Sequence, residues 1–122
     1  MRLSAALPLV ALALLVGATA CSGAPASGGT PVGADTIVLD VRTPEEFASG
    51  HLEGAEPLDF TGGEVAAAIP SLDPDAEYFV YCRSGNRSGQ AIALMEQAGF
   101  TNLTNLGSLE QAARATGLPV VR

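Results

Sequence analysis

The stretch that decides the fold runs Glu77-Tyr78-Phe79-Val80-Tyr81-Cys82-Arg83-Ser84-Gly85-Asn86-Arg87-Ser88. Its first part is aromatic and apolar, which is typical of a strand that is buried on both faces of a sheet. The polar residues that follow predict a tight loop. From Arg87 to Ala98 the apolar residues recur at helical spacing, and Gly99 ends the run. We therefore expect a strand, a tight loop and a helix in succession.

The segment before this stretch predicts a similar unit. Residues 36–41 are mostly apolar and β-branched, and they predict a buried strand. Thr43, Pro44 and Glu46 then supply a cap, a proline at the first helical position and an acid three residues after the cap. The predicted helix ends near Ser49. Residues 61–64 repeat the capping pattern and predict a second helix over 65–69.

The segment after the stretch continues the alternation. Residues 101–106 predict a weaker strand, and Ser108 opens a last helix whose apolar face includes Leu109 and Ala112. Strands that alternate with helices favour an α/β fold, namely a small, mostly parallel sheet flanked by helices on both faces. We expect one such domain over residues 35–122.

Composition narrows the class of protein. The chain has 122 residues, 48% of them hydrophobic and 16% charged, which argues against wholesale disorder. It has a formal charge of −7 and no lysine, so binding to nucleic acid is not expected. Its 2 cysteines, Cys21 and Cys82, are too few for a disulfide scaffold.

The first 34 residues predict an export signal followed by a tether. Met1 and Arg2 precede an apolar run over 7–16 and a small-residue stretch over 17–20, which together favour an export signal over 1–20. An uncleaved anchor is the alternative, because residues 3–20 carry no charge. Residues 22–34 lack charge and helical periodicity, so residues 21–34 predict a lipidation site followed by a flexible tether.

Cys21 follows the predicted signal directly, and the region resembles the lipobox of bacterial lipoproteins. That resemblance implies lipidation of Cys21 and anchoring on the extracytoplasmic face of a membrane. Ordinary cleavage after Ala20 is the alternative, and it would leave a secreted or periplasmic soluble protein.

Cys82 is the candidate reactive residue. It lies where the predicted strand meets the loop, and the loop N–H groups and the positive end of the following helix should lower the pKa of its thiol. Arg83 and Arg87 lie close by in a chain that is otherwise acidic. This local positive charge suits an anionic ligand. The alternative is a small buried cysteine without reactivity.

Three segments resemble the signature segments of the rhodanese (sulfurtransferase) family. Residues 82–88 resemble its active-site loop, and residues 39–47 and 50–55 resemble its two other signature segments. They occur in the family order, and residues 117–120 resemble the end of the domain. The resemblance covers the chain from about Thr36 to Val120.

The resemblance implies a mechanism and a set of site residues. Cys82 would attack the outer sulfur of a donor such as thiosulfate, form a persulfide and pass its sulfur to cyanide or a thiol. The substrate-binding residues would be the rest of the loop: Arg83, Ser84, Gly85, Asn86, Arg87 and Ser88. Their N–H groups would cradle the sulfur, and the two arginines would orient the anionic donor. No cofactor and no metal are expected.

Other interpretations stay open. In a redox or binding module without turnover, Cys82 would act with a partner protein, because no second thiol remains in the domain to resolve an oxidised Cys82. A thiol-reducing partner would then be required. A phosphatase is less favoured, because only four residues separate Cys82 from Arg87, one fewer than in tyrosine phosphatases. A degenerate structural domain would not need so complete a loop.

Several polar residues are expected to serve architecture. We expect Asp40 and Arg42, at the end of the first strand, to form an ion pair or loop anchor that supports the active-site region. His51 is expected to fix a turn by hydrogen bonding. The helix cap and the helix dipole account for Glu45 and Glu46.

Overall fold

The structure is a computed structural model that describes residues 29–122. The predicted export signal, Cys21 and the first part of the predicted tether lie outside the described residues. In the part of the chain that the structure covers, every helix is too short or too polar to cross a membrane.

The described residues form six short strands and four α-helices. The strands are β1 (Ile37–Asp40), β2 (His51–Leu52), β3 (Glu56–Pro57), β4 (Tyr78–Cys82), β5 (Leu103–Ser108) and β6 (Val120–Val121). The α-helices are α1 (Pro44–Ser49), α2 (Glu64–Ala68), α3 (Asn86–Gln97) and α4 (Leu109–Thr116), and a 3-10 turn at Ile69–Ser71 follows α2.

Four strands form a parallel sheet in the order β3-β1-β4-β5. Every residue of β4 is buried, which confirms the prediction of a strand covered on both faces. In register, Asp40 lies opposite Tyr81, and Cys82 lies opposite Ser108. The carboxyl ends of β1, β4 and β5 therefore meet at one edge of the sheet, where open α/β sheets hold their ligands.

Apolar side chains pack on both faces of the sheet. On one face, Val80 packs in a cluster that includes Met95 of α3. On the other, Phe79 packs in a cluster that includes Ala112 of α4. The predicted α/β sheet with helices on both faces is confirmed.

Two predicted helix caps are confirmed and one is wrong. Thr43 with Glu46, and Ser108 with Gln111, form capping boxes at the starts of α1 and α4. The predicted cap at Thr61 does not form, because α2 begins after Gly63, whose φ of +80° puts it in the left-handed region.

The last strand of the sheet lies two residues later than predicted, at Leu103–Ser108 rather than 101–106. A bulge shifts its register against β4 between Val80 and Tyr81. Gly107 continues the strand with a φ of +86°, a conformation that glycine adopts without strain. Beyond the bulge, β4 and β5 stay paired as far as Cys82 and Ser108.

Part of the predicted tether packs on the domain. The Thr30 N–H donates a hydrogen bond to the Ala115 carbonyl at 2.6 Å. Val32 packs against the apolar cluster around Phe79. Contact with the domain therefore begins before the predicted boundary at Asp35.

Candidate active site

The candidate active site lies at the junction of β4 and α3. Cys82 is the last residue of β4, and three residues, Arg83, Ser84 and Gly85, connect it to the helix. Gly85 makes the turn with a φ of +93°. A Cβ on Gly85 would lie 3.3 Å from the Gly107 Cα, so the loop also packs closely against the bulge of β5.

The Cys82 sulfur sits inside this loop. The Gly85 N–H donates a hydrogen bond to Sγ at 2.9 Å, and the Ser88 Oγ lies 3.4 Å from Sγ. Burial opposes ionisation of the thiol, but hydrogen bonds from Ser88 and from the N–H groups of Ser84, Gly85 and Ser88 outweigh it, so the pKa of Cys82 lies below its ordinary value of 9.0. The predicted lowering of the pKa is confirmed.

Cys82 has 0% of its surface exposed. A reagent can therefore reach the sulfur only when the residues that cover it are displaced. Arg83 and Ser84 are exposed and Gly85 is half-buried, so the loop that covers the sulfur lies at the surface of the domain. The sulfur is thus enclosed beneath a loop that is itself in contact with solvent.

The other loop residues lie in different environments. Arg83 is exposed. The Ser84 Oγ accepts a hydrogen bond from the Asn86 N–H at 3.5 Å, and the Asn86 Oδ1 accepts one from the Gln90 Nε2 at 3.1 Å. The side chains of Ser84 and Asn86 therefore engage local partners. Their roles in substrate binding stay predictions.

Arg87 makes contacts that differ from the expectation. Its guanidinium donates to both oxygens of the Glu46 carboxylate, at 2.7 Å to Oε1 and 3.0 Å to Oε2. The hydrogen bonds from Arg87 lower the pKa of Glu46 to about 2. Both terminal nitrogens of the Arg87 guanidinium are thereby engaged, so a role for Arg87 in binding a donor stays a prediction. Glu46 pairs with Arg87 in addition to capping α1.

Asn105 is a site residue that the sequence analysis missed. Its Nδ2 donates to the Gly85 carbonyl at 3.0 Å, and its Oδ1 accepts hydrogen bonds from the Ser88 Oγ at 2.7 Å and the Gly107 N–H at 2.9 Å. Asn105 thus ties the loop to β5. A single polar residue in a weak strand carries no signal that would have identified it.

Asp40 and Arg42 form the expected ion pair at the carboxyl end of β1. The Arg42 Nη2 donates to the Asp40 Oδ2 at 2.6 Å and to the Gly50 carbonyl at 2.6 Å, and Asp40 is fully buried. The Tyr81 hydroxyl donates to the same Oδ2 at 2.7 Å. Burial raises the pKa of Tyr81, so the hydroxyl stays protonated and serves as a donor.

His51 fixes a turn, as predicted. Its Nδ1 lies 2.9 Å from the Phe47 carbonyl oxygen, and its ring stacks on the Phe47 ring with centroids 3.7 Å apart. Both contacts hold the end of α1 against β2.

An open cavity of about 300 Å³ lies beside the loop. Its lining residues are Arg42, Glu46, Ser49, Arg83, Leu109 and Glu110. These residues follow β1, β4 and β5, so the cavity lies at the carboxyl edge of the sheet. The geometry joins a cysteine of lowered pKa, loop N–H groups that donate to its sulfur and a neighbouring cavity, which is an arrangement suited to nucleophilic chemistry on a small molecule.

The sequence profile of the rhodanese-like domain matches residues 29–114. The chain belongs to the rhodanese-like domain family. Thiosulfate sulfurtransferase PspE of Escherichia coli K12 is 36% identical over 85 residues, which cover 68% of this chain and 80% of that protein. A protein named sulfurtransferase from Allochromatium vinosum is 34% identical over 87 residues, which cover 71% of this chain and 79% of that protein.

Solved structures of rhodanese-like domains share the fold. The structure titled rhodanese with anions from E. coli aligns with a TM-score of 0.60 and 30% identity, covering 71% of this chain and 98% of that one. A rhodanese-like domain from Anabaena aligns with a TM-score of 0.62 and 29% identity, covering 71% and 99%. The rhodanese-like fold predicted from the three signature segments is confirmed.

Proposed function

We propose that the protein is a sulfurtransferase that carries sulfane sulfur as a persulfide on Cys82. The observation that carries the proposal is the Gly85 N–H, 2.9 Å from a cysteine sulfur whose pKa is lowered. A thiolate is the attacking form of cysteine, and N–H donors stabilise negative charge on sulfur both before and after transfer. Relatives that bear the name sulfurtransferase support the same activity.

In the first half-reaction, the Cys82 thiolate attacks the outer sulfur of a donor such as thiosulfate. The new bond joins Sγ to that sulfur, the sulfur–sulfur bond of the donor breaks, and sulfite leaves with the electron pair. In the second, a thiol or cyanide attacks the outer sulfur of the persulfide and regenerates the thiolate. Sulfur is transferred without an external oxidant.

Sulfur transfer from thiosulfate to cyanide in the full chain tests this proposal. We expect activity in the wild type and in Cys21→Ser, and none in Cys82→Ser. Intact mass after treatment with thiosulfate should rise by the mass of one sulfur, about 32 Da, only where Cys82 is present. Unchanged activity in Cys82→Ser would refute the proposal.

The burial of Cys82 favours a second candidate, a persulfide or redox module without turnover. In that case the mass shift would appear, but the sulfur would not pass to small acceptors. Release of the added sulfur on incubation with cyanide or a small thiol distinguishes the two functions. Rapid release supports the transferase.

We further propose that the domain is exported and is anchored to the extracytoplasmic face of a membrane through lipidated Cys21. The signal-like pattern of residues 1–20 and the lipobox-like position of Cys21 support this proposal. Membrane fractionation of the wild type and of Cys21→Ser tests it. A Cys21→Ser protein that stays in the membrane fraction would contradict it.

A further inference from the structure

The cavity beside the loop carries four charged side chains, and two of them are already neutralised. Arg42 is paired with Asp40 at 2.6 Å, and Glu46 is paired with Arg87 at 2.7 Å. These are the two ion pairs within residues 29–122. The charges left for a ligand are therefore one cation, Arg83, and one carboxylate, Glu110.

Arg83 and Glu110 lie on different elements around the cavity. Arg83 follows Cys82 at the end of β4, and Glu110 lies in the first turn of α4, two residues after Ser108. Ser108 is the register partner of Cys82, so both charges lie at the edge of the sheet that holds the sulfur. Both side chains belong to exposed residues.

The charges that line this cavity do not favour a dianion over other ligands. A simple anion that meets Arg83 also meets the negative field of Glu110. A ligand with one positive and one negative group satisfies both. The half-buried Leu109, which precedes Glu110 and also lines the cavity, offers an apolar contact for a short methylene stem.

The size of the cavity agrees with a small organic ligand. Its volume of about 300 Å³ lies at the lower end of the range for small-molecule sites. It is larger than a five-atom anion needs and has room for an amino acid.

We propose that the sulfur acceptor selected by this cavity is a zwitterionic aminothiol, with its carboxylate at Arg83 and its ammonium at Glu110. The inference rests on the proposed persulfide chemistry. The thiolate of the acceptor attacks the outer sulfur of the Cys82 persulfide. A bond forms between these two sulfurs, the Cys82–sulfur bond breaks, and Cys82 leaves as a thiolate while the acceptor becomes a persulfide.

The test starts from full-length protein loaded with sulfur by thiosulfate, with loading verified by the mass increase. The loaded protein is then mixed with four probes: cysteine, N-acetylcysteine, cysteamine and 2-mercaptoethanol. Each rate of sulfur release is divided by the rate at which the same thiol attacks a small-molecule disulfide, which corrects for differences in thiol pKa and reactivity. We expect cysteine to exceed N-acetylcysteine and cysteamine, which each lose one exposed ionic contact, by about two- to fivefold, and 2-mercaptoethanol, which loses both, by about fivefold or more.

Variants of Glu110 test whether the preference for cysteine arises in the cavity. Glu110→Gln should remove most of the advantage of cysteine over N-acetylcysteine, and Glu110→Lys should reverse it. Glu96→Gln is the matched control, because it removes the same charge from an exposed position in the last turn of α3, far from the loop. This control should keep the preference for cysteine.

The outcomes separate the two proposals. If the wild type does not load, the persulfide chemistry fails and the inference fails with it. If it loads but shows equal corrected rates for cysteine and N-acetylcysteine, only the acceptor class is wrong. A preference that survives both Glu110 substitutions also overturns the inference.

Discussion

The Arg87 guanidinium donates two hydrogen bonds, 2.7 Å and 3.0 Å long, to the carboxylate of Glu46, which lies 41 residues earlier in the chain. This pair joins the first turn of α3, immediately after the active-site loop, to α1. Because the Glu46 Oε1 also accepts a hydrogen bond from the Thr43 N–H, the pair fixes the helix cap and the loop relative to each other.

Replacement of Glu46 tests the strength of this pair. The pKa of Glu46 in the folded protein, about 2, lies below its ordinary value of 4.5. The pair therefore stabilises the fold fully above about pH 4.5, and this contribution is lost as the pH falls towards 2. Since both side chains are partly exposed, we expect Glu46→Gln to lower the free energy of unfolding by about 1–2 kcal/mol at pH 7.

Urea unfolding at pH 7 and pH 3 measures this effect, and Glu45→Gln is the control. Glu45 is exposed in the same helix turn, so its replacement should cost little. A gap between wild type and Glu46→Gln that is as wide at pH 3 as at pH 7 would rule out this assignment.

Ser88 is expected to help keep Cys82 ionised. Its Oγ lies 3.4 Å from Sγ, and its hydroxyl favours the thiolate when the proton turns from the Asn105 Oδ1 to the sulfur. The rate of iodoacetamide modification against pH should show a midpoint below 9.0 in the wild type and a higher midpoint in Ser88→Ala. Ser84→Ala keeps the Ser84 N–H and should titrate like the wild type. Identical midpoints in all three proteins would argue against a role for the Ser88 side chain.

Gly85 and Gly89 provide a matched pair of glycine substitutions. Gly85→Ala puts a Cβ at a φ of +93° and 3.3 Å from the Gly107 Cα, so it should destabilise the protein by about 1–2 kcal/mol and slow sulfur transfer. Gly89 lies inside α3 and meets only an ordinary contact at 3.6 Å, so Gly89→Ala should stabilise the protein by up to about 1 kcal/mol. Urea midpoints measure both. Equal midpoints for the two variants would contradict the geometry of the loop.

Asp40 and Tyr81 differ in what their removal leaves behind. Asp40→Asn leaves Arg42, which is 6% exposed, without its counter-charge, and should cost about 3–5 kcal/mol. Tyr81→Phe leaves the ion pair intact but removes the hydroxyl that accepts from the Leu52 N–H at 3.0 Å, and should cost about 1–3 kcal/mol. Thermal or urea unfolding gives the order, and a larger loss in Tyr81→Phe would mean that the ion pair is not the main anchor.

Short-range patterns in the sequence predicted most of the fold. The capping boxes of α1 and α4, the buried strand β4 and the loop that holds Cys82 all depend on residues within a few positions of one another. Local hydrogen bonds and side-chain periodicity are properties of such short segments, so they can be read without knowing the rest of the chain. The position of Cys82 between a strand and a helix had already indicated the candidate nucleophile, and the three signature segments added the family.

The tertiary structure decided which groups meet at the site. The pairing of Glu46 with Arg87 and the hydrogen bonds of Asn105 to Gly85 and Ser88 join residues that are far apart in the chain. The bulge opposite Val80 and Tyr81, which brings Gly107 against Gly85, depends on strand register. Such contacts arise only when the sheet brings its carboxyl ends together, because no local pattern records which distant side chain will face a given charge.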